Sequence, residues 1–184
     1  MASAQRIYEI YRLLAMSAEE IKDFQIAKGE KVSGTVTMIL KGDRQKFLTR
    51  WGEEMHELAG VISGSHDDPY IMEATQCFYW LSLYSVTGDV AWEELDFYGQ
   101  RTQVGRTGID NVGDLVDTVD RLVGLGEAAK PQKMVLLWHV ADRLYRQATD
   151  PDQQWSIEQM MDYDLADMKK RPYLEPILRQ TADL

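Results

Sequence analysis

Apolar residues recur at helical spacing along most of the chain, and alternating runs of strand type are almost absent. The pattern predicts an all-α protein. From Ser3 to about Ala27, Ile7, Ile10, Leu14, Ile21 and Phe24 share one side. Ser17 and Glu20 have capping-box spacing, which predicts a helix restart there, and Gly29 closes the helix in the left-handed conformation. Residues 30–42 contain Gly34, Gly42 and several β-branched residues, so they predict a connecting segment rather than a helix. The next helix starts near Asp43 and carries Phe47, Trp51, Met55, Leu58 and Ile62 as a core-facing stripe. Gly64 and Ser65 break it. Asp68 as N-cap and Pro69 as first helical residue then start a helix that runs to about Thr87.

This third long helix differs in kind, because Ile71, Met72, Cys77, Phe78, Trp80, Leu81, Tyr84 and others clothe every side of it. A helix apolar all round belongs in the centre of a domain or in a subunit interface. Glu73 and Gln76 are its conspicuous polar exceptions. Beyond it the pattern predicts a short aromatic helical piece from Trp92 to Tyr98, a loop from Gly99 to Gly108, and helices at about 111–129, 132–149 and 152–170. Pro131 and Pro151 suit first turns, Asp150 suits the cap of the last helix, and Pro172 and Pro176 should end regular structure.

A length of 184 residues with 45% hydrophobic content fits one domain, 1–184, with no repeat or linker. The net charge of -10 argues against duplex nucleic acid or an anionic membrane as partner. Small phosphorylated ligands remain compatible if metal ions offset their charge. The single cysteine, Cys77, excludes an internal disulfide and a cysteine-based zinc site and fits a reducing, cytoplasmic setting. Neither a signal-peptide core nor an apolar run approaching the ~18 residues of a membrane span is present.

Acidic pairs are plentiful here, and Glu93 with Asp96, Asp114 with Asp117 and Asp120, and Asp164 with Asp167 read as solvated faces or helix-terminal charges. Glu53, Glu54 and Glu57 stand apart because on a 100° wheel all three border the stripe of Trp51, Met55 and Leu58. Glu73 has no polar flank on its own helix, and an ionised, unpaired carboxylate there would cost several kcal/mol. It needs a cation, a basic partner or a proton. An ion pair with Arg50 or Lys46 satisfies one carboxylate, whereas a divalent cation satisfies several converging ones; hard ions such as Mg²⁺ prefer such oxygens.

The segments Arg50-Trp51-Gly52-Glu53-Glu54-Met55-His56-Glu57-Leu58 and Glu73-Ala74-Thr75-Gln76-Cys77-Phe78-Tyr79-Trp80 resemble the two-helix signature of the all-α nucleoside triphosphate pyrophosphohydrolases, the MazG-like and phosphoribosyl-ATP pyrophosphohydrolase group. Glu54-x-x-Glu57, fifteen intervening residues and Glu73-x-x-Gln76 match that signature except for glutamine in place of the final aspartate. Ile21 to Gly29 is similar to the short helix that precedes it, and Met168 to Pro172 to the basic stretch that follows. The resemblance implies a MazG-like helical bundle with additional C-terminal helices: a metal-site core at 20–87, an unplaced helical extension at 88–159 and a basic segment at 160–184. It implies cleavage between the α and β phosphates of a nucleotide, with Mg²⁺ or Mn²⁺ on Glu54, Glu57, Glu73 and Gln76, and Glu53 activating water. Lys169, Lys170, Arg171, Arg50 and Phe24 are the substrate-binding candidates, with Arg101 and Arg106 as second choices for phosphate. A homodimer or homotetramer is the implied assembly. The alternative is a catalytically degenerate helical interaction protein, marked by Gln76.

Overall fold

The computed structural model describes residues 1–184, all helices, turns and loops, with no strand. Its helices are α1 (Ala4–Met16), α2 (Ala18–Ala27), α3 (Gly34–Lys41), α4 (Arg44–Ser63), α5 (Tyr70–Val86), α6 (Trp92–Leu95), α7 (Phe97–Gln103), α8 (Val112–Val123), α9 (Pro131–Ala148), α10 (Ile157–Met168) and α11 (Glu175–Gln180). No helix is long and apolar enough to cross a membrane.

Helix α5 is the axis of the bundle, with 14 of its 17 residues buried. It packs lengthwise on α4 and is enclosed further by α9, α10 and α1. Its all-round apolar surface is therefore covered within one chain and requires no second copy. The α4 stripe faces it as expected: Phe47, Trp51, Met55 and Leu58 are fully buried, while Ile62 is only half-buried. Gly52 permits α8 to lie close on the other side of α4, since a Cβ there would meet Val123 Cγ2 at 2.8 Å. The segment 88–159 is no appendage, because α9 packs on α4, α5, α7 and α8 and its Trp138 donates a hydrogen bond to the Ala74 carbonyl of α5 at 2.9 Å.

Asp43 caps α4 by accepting from the Lys46 N–H, Gly29 takes the expected left-handed conformation, and Gly64 ends α4 in the same conformation. Other boundaries differ. Ser17 sits between α1 and α2 with near-helical backbone and makes no side-chain cap, so the expected capping box does not form. Residues 34–41 are helical, because Val36 and Ile39 find buried positions, and tertiary burial overrides the weak propensity of a β-branched run. Pro69, with extended backbone, occupies the N-cap position of α5 instead of Asp68. The aromatic piece is split into α6 and α7 at Asp96, whose φ of 51° is left-handed. Helix α7 then continues into the expected loop, because Phe97 and Val104 are buried and the Phe97 ring packs 4.5 Å from that of His139 on α9. Ser156 and Gln159, not Asp150, form the capping box of α10. Pro176 lies in the first turn of α11 and so begins a helix rather than ending one.

Candidate functional site

The α4–α5 pair carries the acids, and the short loop 64–69 joining the two helices folds back over them. His66 is brought against α4 at Gly60, where the carbonyl accepts the Ser65 N–H at 2.8 Å and the His66 N–H at 3.2 Å. A Cβ on Gly60 would lie 2.9 Å from the His66 Cβ, so only glycine allows this approach. The result is a cluster of Glu57, His66 and Glu73, each offering a ligand atom within 4.8 Å of the others. Gly60→Ala is expected to leave helical content intact yet weaken Mn²⁺ binding about tenfold by displacing His66, as read by Mn²⁺ EPR titration.

Glu73 is the electrostatic centre of this cluster. It is 1% exposed, and neither carboxylate oxygen has a hydrogen-bond partner. Burial, then the neighbouring Glu57, Glu54 and Asp68, push its acid constant up to about 7, with His66 opposing. The structural ion pair to Arg50 or Lys46 is absent, since Arg50 is occupied by Glu53 and Glu54. The nearest basic group is His66, whose Nε2 lies 3.9 Å from Glu73 Oε1 and 2.9 Å from Asp68 Oδ2, aligned for a hydrogen bond to neither. Cys77 lies beside these acids, and its thiol is held well above the ordinary range by burial and by their charge.

The other expected ligands are placed differently. Glu54 is buried, and its Oε1 accepts from Arg50 Nη2 at 2.7 Å and from Trp80 Nε1 at 3.2 Å. Burial raises its acid constant, and Arg50 partly reverses that shift. Glu53 is exposed and paired with the same guanidinium. Gln76, one turn beyond Glu73, borders a cleft of about 460 Å³ between α5 and α10 instead of joining the cluster. Lys170 and Arg171 line that cleft with Tyr79, Tyr163 and Asp164, whose carboxyl burial raises to about 7. Asp167 engages both bases, at 3.6 Å from Lys170 Nζ and by a direct hydrogen bond from Arg171. Lys169 is exposed at the end of α10 and does not line the cleft. Phe24 stands exposed on α2 with the Lys28 ammonium 4.2 Å over its ring.

His66, which from the sequence reads as an ordinary surface or core residue, is instead a member of this cluster. The signal was the shortness of the loop: within six residues of both acid-bearing helices, a histidine beside Asp67 and Asp68 has few places to go but over their ends.

The donor set suits a divalent cation. Two oxygens and an imidazole nitrogen are available, and the buried oxygens of Glu73 lack any protein partner. Ligands of one ion at ~2.1 Å stand roughly 3–4 Å apart, so the three side chains need to draw in only slightly. The nitrogen favours Mn²⁺ over Mg²⁺, because imidazole suits transition ions better than it suits hard alkaline-earth ions. No protein-family model, curated protein or solved structure matches this chain.

Proposed function

We propose that the protein is a divalent-metal-dependent nucleotide pyrophosphohydrolase that converts a nucleoside triphosphate or related nucleotide to a monophosphate and pyrophosphate. The observation that carries this reading is Glu73: a carboxylate buried without a hydrogen-bond partner, facing Glu57 and His66 across one narrow gap. An isolated buried charge is too costly to keep unless something compensates it, and an ion at this position does so. A bound divalent ion would supply charge neutralisation on the phosphate oxygens and lower the proton affinity of a coordinated water.

The chain's own groups divide the remaining work. Glu57 and Glu73, with His66, hold the ion, and Glu54 joins them when Arg50 releases it. Glu53 lies one turn before Glu57 on the same exposed face and serves as base once it leaves Arg50. The α5–α10 cleft starts one turn from Glu73, and its tyrosines and Gln76 provide flat and hydrogen-bonding surfaces for a nucleoside, with Arg171 and Lys170 for phosphate. Its volume lies in the ordinary range of ligand pockets.

The assay is release of pyrophosphate from a nucleotide panel with Mg²⁺ or Mn²⁺, repeated with chelator. Metal-dependent pyrophosphate is the expected product, with Mn²⁺ supporting the faster rate. Orthophosphate would identify a phosphohydrolase of another specificity, and no metal-dependent product from any nucleotide would overturn the enzymatic reading. The rival, a non-catalytic helical interaction protein on this scaffold, has one observation in its favour: Arg50 already neutralises Glu54, and Gln76 brings no charge. A homodimer or homotetramer rests only on the resemblance, because α5 is covered within the chain.

A further inference from the structure

Few buried polar side-chain atoms lack a partner, and beyond the Glu73 and His66 atoms two of them share a second place, a cleft of about 370 Å³ between α7 and α9. They are His139 Nδ1 and Arg143 Nε, both on residues that line it. His139 is 2% exposed and sits one turn before Arg143 on α9, while Arg101 of α7, Gln147 and the Asp142 carboxylate line the same cleft. None of these groups belongs to the α4–α5 cluster or to the α5–α10 cleft.

The bonding already present sets what the cleft still lacks. Arg146 is fully engaged, giving hydrogen bonds to Asp142 Oδ2 at 2.9 Å, to Gln154 and to the Trp155 carbonyl. Arg143 bonds the Ile109 carbonyl through Nη2, with the exposed Asp110 carboxylate 3.6 Å away. Arg101 has no side-chain partner; Glu158 of α10 stands within Coulombic reach of it and of Arg146. Even with these acids counted, the cleft brings together three guanidinium groups in a chain of net charge -10, and one of them is free.

His139 completes the chemistry. The Phe97 carbonyl, 3.0 Å from Nε2, can only accept, so the ring proton is on Nε2 and Nδ1 presents a lone pair. Burial favours that neutral form by pulling the imidazole down to about 4. The wall therefore offers guanidinium donors for anionic oxygen and, besides the Asp142 carboxylate already bonded to Arg146 and the Gln147 amide, an unpaired neutral acceptor at His139 for an O–H. A small oxyanion that keeps a proton near neutral pH satisfies both, and one that is fully deprotonated leaves Nδ1 unpaired.

We propose that the α7–α9 cleft is a binding site for hydrogen phosphate, with Arg101 and Arg143 donating to its oxygens and His139 Nδ1 accepting its P–O–H proton. Sulfate matches phosphate in size and shape but carries no proton at this pH, so it separates this arrangement from simple charge attraction.

Isothermal titration of the full chain with inorganic phosphate near neutral pH, in chelator so that the metal cluster is silent, tests it. The expected result is one saturable site, bound about tenfold more tightly than sulfate, weakened about tenfold or more in Arg101→Gln and unchanged in Arg179→Gln, whose exposed side chain pairs with Glu175 on α11. The His139 Nδ1 resonance, followed by ¹⁵N NMR, is expected to shift with the same saturation curve, which reports on the site without a substitution in the buried histidine. Absence of saturable binding, equal affinity for sulfate, or loss in Arg171→Gln with Arg101→Gln unaffected would each overturn the proposal. Pyrophosphate, as a second arm, distinguishes a site for free phosphate from one for the terminal group of a longer anion. The outcome is independent of nucleotide hydrolysis.

Discussion

Glu73→Gln is expected to make the metal-free protein more stable above neutral pH while abolishing its metal response and its nucleotide hydrolysis. The carboxyl is moved from an ordinary 4.5 to about 7. Because the folded value lies above the unfolded one, the folded protein binds more protons between these limits. Stability contributed at this position is therefore greatest at low pH, falls as pH rises through about 4.5 to 7, and is fully lost above that window. The displacement corresponds to about 3 kcal/mol. A glutamine amide in the same buried place still wants partners, which offsets about 1 kcal/mol and leaves a net gain of about 2.

Thermal or urea unfolding in chelator checks this at about pH 5 and about pH 8, with the variant gaining only at the higher value. Besides Glu54, whose carboxyl burial raises, two groups remote from Glu73 also slope in this range. Asp164, raised by burial to about 7, acts in the same sense as Glu73, and His139, lowered to about 4, acts in the opposite sense between about 4 and 6.5. Both are common to the two proteins and cancel in the difference. Saturating Mn²⁺ should stabilise the wild type by about 2.7 kcal/mol at a hundredfold excess over its dissociation constant and the variant hardly at all. Pyrophosphate release should fall by about a thousandfold or more, the scale expected when a group that stabilises transition-state charge is removed. Equal stability of the two proteins at both pH values would mean that Glu73 has a partner in solution, and the cation argument would lose its basis.

The parts of the fold that were legible in the sequence are those in which local and tertiary preferences agree. The stripe on α4, the all-round burial of α5 and the stop at Gly64 are each dictated by spacing or by backbone conformation and need no knowledge of neighbours. Helix α3 and the later turns of α7 were hidden, because Val36, Ile39 and Val104 are helical for the sake of surfaces contributed by distant segments. Pro176 shows a simpler ambiguity: a proline marks a helix's first turn as readily as its end, and composition nearby does not say which.

The candidate site divides along the same line. Wheel geometry turns Glu57 of α4 towards α5, and its carboxylate lies within 4.8 Å of that of Glu73 because both helices are regular and packed lengthwise. It cannot show how a guanidinium distributes itself, and Arg50 reaches Glu53 and Glu54 within little more than one turn of its own helix, leaving Glu73 without it. Nor does a wheel include loops, so His66 entered the cluster unseen. The arginines and histidine of the α7–α9 cleft come from elements whose relative placement depends on the whole bundle, and no local spacing announces them together.

Arg50→Met should cost about 2–3 kcal/mol in metal-free protein, measured by urea unfolding in chelator. The substitution keeps the apolar reach of the side chain, so packing is largely conserved, but Glu54 at 2% exposure keeps only the Trp80 N–H at 3.2 Å. Removing one partner of a buried ion pair costs up to 3–5 kcal/mol, and the lower figure applies because the Arg50 side chain is 42% exposed. The guanidinium also gives up its position 5.4 Å from the Trp80 ring. What Mn²⁺ does to this variant discriminates between the two functional readings. If the protein is a metal-dependent hydrolase, the freed Glu54 can turn to the ion beside Glu57 and Glu73, and Mn²⁺ should stabilise the variant more than it stabilises the wild type, recovering part of the loss. If the Arg50–Glu54 pair is simply structural, as in the interaction-protein reading, the deficit should be the same with and without the ion. A buried acid left without its base needs a replacement cation, and only a site built to receive one restores what the arginine supplied.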